Sequence, residues 1–284
     1  MKHGDALKTG DCASARLSTD WQTKNIAIIG AGHLGLALAK RMLACNFNVE
    51  RITISHHGST RTRERLKEAG LASRIATNRE LSARADLIFL AIKPSDVNSL
   101  RDTVFREATV VVSCIAGLQT ASLQKLLQHE VIRIMPSNPP TIEAGTAIAA
   151  LFPEAAAVAD ILSVMNFKIY PMAAEEAFHL FTAAVCLPAA FLYLRLYQRT
   201  MDEAELLNRY IPEYDRFAEV YHWVKREAPL LTSEAAINGY LRRMATKGGI
   251  TEAILESLKE GNSLAAALEK GIHRSKEIGA SCIS

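Results

Sequence analysis

The apolar run NIAIIG leads directly into GAGHLG at positions 30–35, and the residues after it have the apolar spacing of a helix. A G-x-G-x-x-G pattern between a strand and a helix is typical of the phosphate-binding turn of a Rossmann-type domain. Gly30 permits the tight turn, Gly32 lets a pyrophosphate approach the backbone, and Gly35 lets the helix pack closely on the strand. The sequence therefore predicts a dinucleotide site here, with a glycine-rich turn that binds no ligand as the alternative.

Strand-like runs alternate with helical patterns in the first half of the chain, as in RITIS, ADLIFLAIKP, TVVVSCIAG and VIRIMP. Continuous Val, Ile and Leu strands of this kind are expected in a parallel sheet that has helices on both faces. From about Ala173 onward the strand signals vanish. We therefore predict an α/β fold with a flexible tail at 1–23, a Rossmann-type parallel sheet at 24–172 and an all-helical domain at 173–284.

Composition narrows the classes of partner. The 284 residues carry a formal net charge of only +3 with both signs mixed, which argues against nucleic acid and for a small-molecule ligand. The five cysteines are odd in number and widely spaced, and no histidines are spaced as metal ligands, so neither disulfides nor a metal is expected. No signal-peptide core and no run of about 18 apolar residues is found. We predict a cytoplasmic protein that does not bind a membrane.

The stretch from Ala173 to Tyr197 is apolar on most of its circumference and predicts one long helix interrupted at Pro188. Such a helix must be buried, which we interpret as packing against a second subunit. A shorter helix is predicted to open at Pro153, because proline is favoured in a first helical turn.

The end of the second strand bears on the choice of cofactor. An NAD-specific site would have Asp or Glu there for the ribose hydroxyls, whereas this chain has Ser55, His56 and His57, with Arg61 and Arg63 close behind. Hydroxyl, imidazole and guanidinium groups donate to a 2′-phosphate that a carboxylate would repel. NADPH is therefore favoured over NADH. The alternative is that RTRER forms only a solvated helix face.

Further segments extend the pattern over nearly the whole chain, from about Asn25 to Gly279. They are IAIIGAGHLGLALAK, Asn78 with ADLIFLAIKP, VVVSCIAG, VIRIMPSNPP with GTAIAAL, AEEAFHLFTA, and ATKGGITEAILESL with KGIHRSKEIG. In this order they resemble the pyrroline-5-carboxylate reductase family. The resemblance implies NADPH-dependent reduction of a cyclic imine in proline biosynthesis, and a helical domain that interlocks with its twin in a homodimer or a higher oligomer.

The resemblance also implies which residues touch the ligands. Beside the glycines of the turn, the cofactor would contact His33, Leu34, Ser55, Asn78, Lys93, Pro94, Ala116 and Gly117. His56 is added to these predicted contacts for its imidazole donor, not from the resemblance. As alternatives, Pro94 only ends a strand and Asn78 only caps a helix.

The loop Thr246–Thr251 is the second site that the sequence singles out. Two glycines before a helix leave backbone amides for an anion, and the two threonine hydroxyls add donors, although helix starts favour Thr and Gly for capping alone. By resemblance, Thr246, Gly248, Gly249 and Ile250 would bind the substrate carboxylate. Thr251 would then donate a hydrogen bond to the imine nitrogen as hydride arrives from nicotinamide C4. Lys247 either strengthens the anion site or is a solvated charge.

One segment departs from the family. Where the family has L-S-G-S-G-P-A-Y, this chain has AAVCLPAA at 183–190, so volume is added and polar donors are lost. A catalytically silent NADPH-binding sensor or scaffold is therefore an alternative function. A third class, the β-hydroxyacid dehydrogenases, uses a lysine on the first long interdomain helix, and this chain has no lysine between Lys168 and Lys225.

Overall fold

The computed structural model describes residues 21–281, and their contacts divide them into two compact units. The sheet unit contains residues 21–92, 98–114 and 124–171, and the helical unit contains 93–97, 115–123 and 172–281. Most of the predicted tail, residues 1–20, lies outside the described residues. Its last part does not behave as a tail, because Trp21 is buried and its indole Nε1 donates to Asp160 Oδ2 at 2.7 Å.

The sheet unit is built on seven strands. They are β1 (Ile26–Ile29), β2 (Ile52–Ser55), β3 (Leu87–Leu90), β4 (Val110–Ser113), β5 (Val131–Pro136), β6 (Ile148–Phe152) and β7 (Lys168–Pro171). Their order is β2-β1-β3-β4-β5-β6-β7, and every neighbouring pair is parallel except β5 with β6. The predicted fold class, a Rossmann-type parallel sheet followed by helices, is confirmed. The chain crosses over between β1 and β3, which is where doubly wound sheets leave a crevice for ligands.

Six helices belong wholly or partly to the sheet unit. They are α1 (His33–Ala44), α2 (Thr60–Glu68), α3 (Asn78–Ser82), α4 (Thr120–Leu127), which runs from one unit into the other, α5 (Pro139–Ala144) and α6 (Ala156–Val164). The expectation that α6 opens at Pro153 is wrong, because Pro153 follows a cis peptide bond in the preceding turn and the helix begins at Ala156. The strands β1 and β3 are buried along their whole length, as expected when helices cover both faces.

The helical unit contains seven further helices among its described residues. They are α7 (Ala177–Ala184), α8 (Leu187–Leu196), α9 (Glu203–Tyr210), α10 (Phe217–Glu227), α11 (Glu234–Met244), α12 (Ile250–Lys259) and α13 (Leu264–Ser281). The predicted single apolar helix is therefore two helices. The break lies at Val185–Cys186 rather than at Pro188, because Pro188 falls in the first turn of α8, where a missing amide costs no hydrogen bond.

The apolar pair α7 and α8 is buried within its own chain. Every residue from Phe178 to Leu194 except Cys186 is buried, and α10, α11, α12 and α13 supply the covering surfaces. The burial that we expected from a second subunit is thus provided in cis. Among the described residues, no single helix is long and apolar enough to cross a membrane, and α7 with α8 meets that length only as a pair bent by 41°.

A buried arginine ties three parts of the sheet unit together. Arg41 on α1 is 5% exposed, and its Nε donates to the carbonyl oxygen of Met165 at 2.8 Å. Gly145, which ends α5 at a φ of +74°, leaves room for the guanidinium group: a Cβ atom there would lie 2.6 Å from its carbon. The arginine therefore links α1 with the ends of α5 and α6.

We predict that Arg41→Met lowers the free energy of unfolding by about 1–3 kcal/mol, because the Met165 carbonyl loses a buried donor. The matched control is Lys40→Met on the same helix. Lys40 forms an exposed ion pair with Glu143 at 3.2 Å, and its loss should cost less than about 1 kcal/mol. Urea unfolding measures both values, and equal losses would contradict a special role for Arg41.

Candidate functional site

The glycine turn after β1 is shaped by two close backbone contacts. Gly30 has a φ of +106°, and a Cβ atom there would lie 2.6 Å from the Ala91 carbonyl oxygen. A Cβ atom on Gly35 would lie 1.9 Å from the Gly30 carbonyl oxygen. Neither position accepts a side chain without a backbone shift, so the turn is held tightly between β1, α1 and the end of β3.

Gly32 differs from the other two glycines. It is exposed at the start of α1, and a Cβ atom there would meet nothing within 4 Å. Its open side is therefore available to a ligand rather than required for packing. His33 is also exposed and Leu34 is half-buried, so the three residues form the outer surface of the turn at a helix N-terminus.

The end of β2 lies next to the turn, since Gly30 N donates to the Ser55 carbonyl oxygen at 3.3 Å. Ser55 is buried, and the following His56 accepts a hydrogen bond from Gly58 N on its Nδ1 at 2.9 Å. With Nδ1 occupied as an acceptor, the neutral His56 ring carries its proton on Nε2.

Arginines of α2 surround these histidines. Desolvation lowers the pKa of His33, and the positive charges of Arg65 and Arg61 lower it further. Desolvation also lowers the pKa of His56, followed by the charges of Arg63 and His57. We call Arg61, Arg63 and Arg65 the cation cluster. Its positive charge acts on His33 at the glycine turn and on His56 after β2, and the same charge favours a bound anion. From the sequence, Arg61 and Arg63 were expected as phosphate donors, whereas Arg65 was included only in the RTRER stretch.

Asn78 is the first residue of α3 but does not cap it. Thr77 does so, since its hydroxyl accepts from Glu80 N at 3.3 Å while the Glu80 carboxylate accepts from Thr77 N at 2.8 Å. The capping alternative for Asn78 is therefore wrong. The segment before α3 pairs with β2 through Ala76 N and the Ile54 carbonyl oxygen, at 3.1 Å.

Four of the predicted cofactor residues belong to the helical unit. Lys93 and Pro94 follow β3, where Pro94 opens a short 3₁₀ helix that ends at Leu100, and Ala116 and Gly117 follow β4. The strand-ending alternative for Pro94 does not describe it, because β3 ends at Leu90. Gly117 adopts a φ of +78°, which favours glycine.

The loop Thr246–Thr251 is closed by internal contacts. Gly249 is the N-cap of α12, and its amide donates to the Thr246 carbonyl oxygen at 2.8 Å. The amide of Gly248, which has a φ of +69°, donates to the Glu252 carboxylate at 2.5 Å, and Arg274 Nε donates to the Gly248 carbonyl oxygen at 2.7 Å. The expectation that both glycine amides are bare is therefore wrong, because a side chain and a backbone carbonyl already use them.

Thr251 lies on the first turn of α12. It contacts residues 183–190, the segment that departs from the family pattern, which we call the altered segment. Its hydroxyl forms a hydrogen bond with Cys186, whose thiol donates to the Thr182 carbonyl oxygen at 3.3 Å. Burial raises the pKa of the Cys186 thiol, and the Thr251 hydrogen bond opposes that shift. Burial also raises the pKa of Tyr240 to about 12, and the adjacent Cys186 adds to it. The altered segment therefore contacts Thr251 through Cys186.

Several residues of these sites escaped sequence analysis. Glu252 and Arg274, which hold the 246–251 loop, lie in segments that carry the resemblance but had no predicted role, although an acid in the first turn of a helix is a common partner of free amides. Cys186 was noted only as a change of volume. Within the described residues, no three His, Cys, Asp or Glu side chains are grouped to hold a metal ion.

Comparison with known proteins agrees with this architecture. The family model "NADP oxidoreductase coenzyme F420-dependent" matches residues 25–117. A pyrroline-5-carboxylate reductase of Corynebacterium melassecola is 29% identical over 129 residues, which are 42% of this chain and 47% of that protein. The chain thus spans about half the length of that relative.

Two further relatives match over nearly their full length. The pyrroline-5-carboxylate reductase of Vibrio alginolyticus is 22% identical over 272 residues, 90% of this chain and 97% of that protein. The structure of the Plasmodium falciparum pyrroline carboxylate reductase with NADP bound superimposes with a TM-score of 0.56 at 18% identity, covering 91% of this chain and 99% of that one. At that identity the superposition shows the fold alone. The sequence of this chain is thus similar to those of pyrroline-5-carboxylate reductases, to some over less than half of its length and to one over most of it.

Proposed function

We propose that this protein reduces the C=N bond of a cyclic imine, pyrroline-5-carboxylate or a related compound, with NADPH as the hydride donor. The observation that carries the proposal is the glycine turn, in which Gly30 and Gly35 are closed by backbone while Gly32 is open. The similarity to pyrroline-5-carboxylate reductases indicates the type of reaction. The other cofactor contacts that we propose are those inferred from the sequence: His33, Leu34, Ser55, His56, Asn78, Lys93, Pro94, Ala116 and Gly117.

The turn fits the pyrophosphate of a dinucleotide. The open side of Gly32 leaves its backbone accessible, and the N-terminus of α1 contributes amide donors and a positive dipole to an anion placed there. When bound, the cofactor supplies the hydride from nicotinamide C4.

We predict that Gly32→Ala raises the Kd for NADPH by roughly tenfold or more without lowering Tm. The added methyl group has room in the free protein but occupies the side from which the pyrophosphate approaches. Gly239→Ala, a helical glycine with its nearest atom at 3.5 Å, is the matched control and should bind NADPH normally. Fluorescence titration and thermal melting measure the two quantities. Unchanged NADPH affinity in Gly32→Ala would remove the turn from the cofactor site.

The cation cluster beside the turn supports NADPH over NADH. A 2′-phosphate at the end of β2 would meet the Ser55 region, the Nε2 proton of His56 and the α2 guanidinium groups, and these are the donors that phosphate prefers. The side chains that lower the pKa values of His33 and His56 are three arginines and one histidine, and none of them is a carboxylate that would repel the phosphate.

We predict that Arg65→Gln reduces the preference for NADPH over NADH on the order of tenfold, because the 2′-phosphate loses one positively charged donor. Lys67→Gln is the matched control. Lys67 lies two residues further along α2, about 200° around the helix, and it is exposed. The ratio of the two Kd values is the measurement. An equal fall in both variants would mean that only general surface charge matters.

For the substrate, we propose that its carboxylate binds at Thr246, Gly248, Gly249 and Ile250 and that Thr251 donates a hydrogen bond to the imine nitrogen. The Glu252 carboxylate already holds the Gly248 amide, so a substrate carboxylate would have to displace it there. Reduction adds hydride to the imine carbon and a proton to the nitrogen. A hydroxyl within reach of the nitrogen stabilises the charge that changes in the transition state.

We predict that Thr251→Ala lowers kcat on the order of tenfold to a thousandfold while the Kd for NADPH stays unchanged. Thr251→Ser retains the hydroxyl and should recover most of the rate. The oxidation of NADPH with pyrroline-5-carboxylate and a small panel of cyclic imines gives the rates. Full turnover by Thr251→Ala would exclude the proposed donor.

A silent NADPH-binding sensor or scaffold is the second candidate function, favoured by one observation. Val185 and Leu187, which replace small family residues, are buried beside Cys186, so the altered segment fills its space with side chains. The same assay separates the two functions, because a sensor would bind NADPH tightly and reduce none of the imines.

A homodimer formed through the helical domain is proposed from the resemblance, as is a cytoplasmic location. The sequence suggested a second subunit because the apolar helix had to be buried. Since α7 and α8 are buried within one chain, the dimer proposal now depends on the resemblance alone.

A further inference from the structure

A carboxylate of the helical unit holds the start of α4. Glu175, just before α7, accepts hydrogen bonds from the backbone amide of Thr120 at 2.8 Å and from its hydroxyl at 2.9 Å. Each carboxylate oxygen takes one of the two donors. Thr120 is 8% exposed, so both bonds are largely shielded from water, where hydrogen bonds to a charged acceptor are strong.

Thr120, the first residue of α4, directly follows the segment Ile115–Gln119, which carries Ala116 and Gly117. We call this segment the β4–α4 loop. Gly117 lies only three residues before the Glu175 contact, so the carboxylate fixes one end of a very short stretch of chain. The other end follows β4 after a single residue, Cys114.

The C-terminal helix supports the same loop from a second direction. A Cβ atom on Gly279 of α13 would lie 2.1 Å from the Gly117 carbonyl oxygen, and one on Gly117 would lie 2.7 Å from the Gly279 nitrogen. The two backbones are therefore in direct contact. Helix α13 is itself held to α7 by a buried hydrogen bond between His179 Nδ1 and Ser275 Oγ at 2.9 Å.

We propose that Glu175 and Gly279 are positioning residues that hold the β4–α4 loop in the conformation that binds NADPH. The inference rests on the proposed function, because it takes Ala116 and Gly117 as cofactor contacts. Neither Glu175 nor Gly279 touches the cofactor in this proposal. They act by keeping the binding-competent conformation populated, and the apparent Kd rises in proportion as that population falls.

The first experiment compares Glu175→Ala with Glu176→Ala in the full-length protein. Glu176 is the neighbouring residue, it is exposed, and its side chain caps no amide. We expect Glu175→Ala to raise the Kd for NADPH roughly tenfold, which corresponds to a loop that is competent about one tenth of the time. The KM for the imine at saturating NADPH should not change. Glu176→Ala should match the wild type in both.

Hydrogen exchange separates positioning from a general loss of stability. The Thr120 amide should exchange faster in Glu175→Ala than in the wild type, and saturating NADPH should restore part of its protection. Should Glu175→Ala fail to fold, Thr120→Val removes only the hydroxyl arm of the contact, and we expect it to raise the Kd for NADPH severalfold.

The second experiment tests the other side of the loop. Gly279→Ala places a methyl group against the Gly117 carbonyl and should raise the Kd for NADPH roughly tenfold, because the loop must shift. Gly239→Ala again controls for the change in helix propensity.

The outcomes distinguish this inference from the proposed function. If the wild type binds NADPH and both Glu175→Ala and Gly279→Ala bind it equally well, the positioning role is overturned and the reductase proposal stands. If the wild type does not bind NADPH, both fall. A rise in the Kd for NADPH in both variants, with neither control affected, supports the positioning role of Glu175 and Gly279.

Discussion

The contact between Gly35 and the Gly30 carbonyl is the constraint on which the sheet unit depends. It brings the first turn of α1 against the end of β1 more closely than any side chain permits, and Gly30 is pressed in turn against the end of β3. Because β1 lies between β2 and β3, the turn sits at the crossover of the sheet. Gly32 is left as the open side of a rigid backbone, so a ligand that needs amide donors finds them without reorganisation of the chain.

Close packing around two apolar helices organises the helical unit. The apolar helices α7 and α8 break at Val185–Cys186 and are covered by α10 to α13 of the same chain. Their burial explains why large side chains can replace small ones in the altered segment, since the surrounding helices are packed around them. Cys186, at the break, contacts Thr251, and burial raises the pKa values of both Cys186 and the nearby Tyr240.

The glycine amides of the 246–251 loop are satisfied by groups of the same chain. Glu252 holds the Gly248 amide and Arg274 holds the Gly248 carbonyl, so the loop is ordered by charges from its own unit. In the proposed binding of a substrate carboxylate, that carboxylate would replace Glu252 as the acceptor of the Gly248 amide, so one negatively charged acceptor would take the place of another. Such an exchange costs less than creating a new charged contact, because the amide is never left without an acceptor.

The local signals in the sequence determined the parallel sheet, the glycine turn and the helical second half, because continuous apolar strand runs, glycine spacing and helical patterns act over a few residues. They also singled out the 246–251 loop. Only the tertiary structure decided that α7 and α8 are two helices buried in cis, that the glycine amides of that loop are occupied, and that Arg65, Glu175 and Gly279 approach the candidate sites. Those features depend on contacts between residues as much as 162 positions apart, as for Gly117 and Gly279, where 279 − 117 = 162, and no local pattern encodes such pairs.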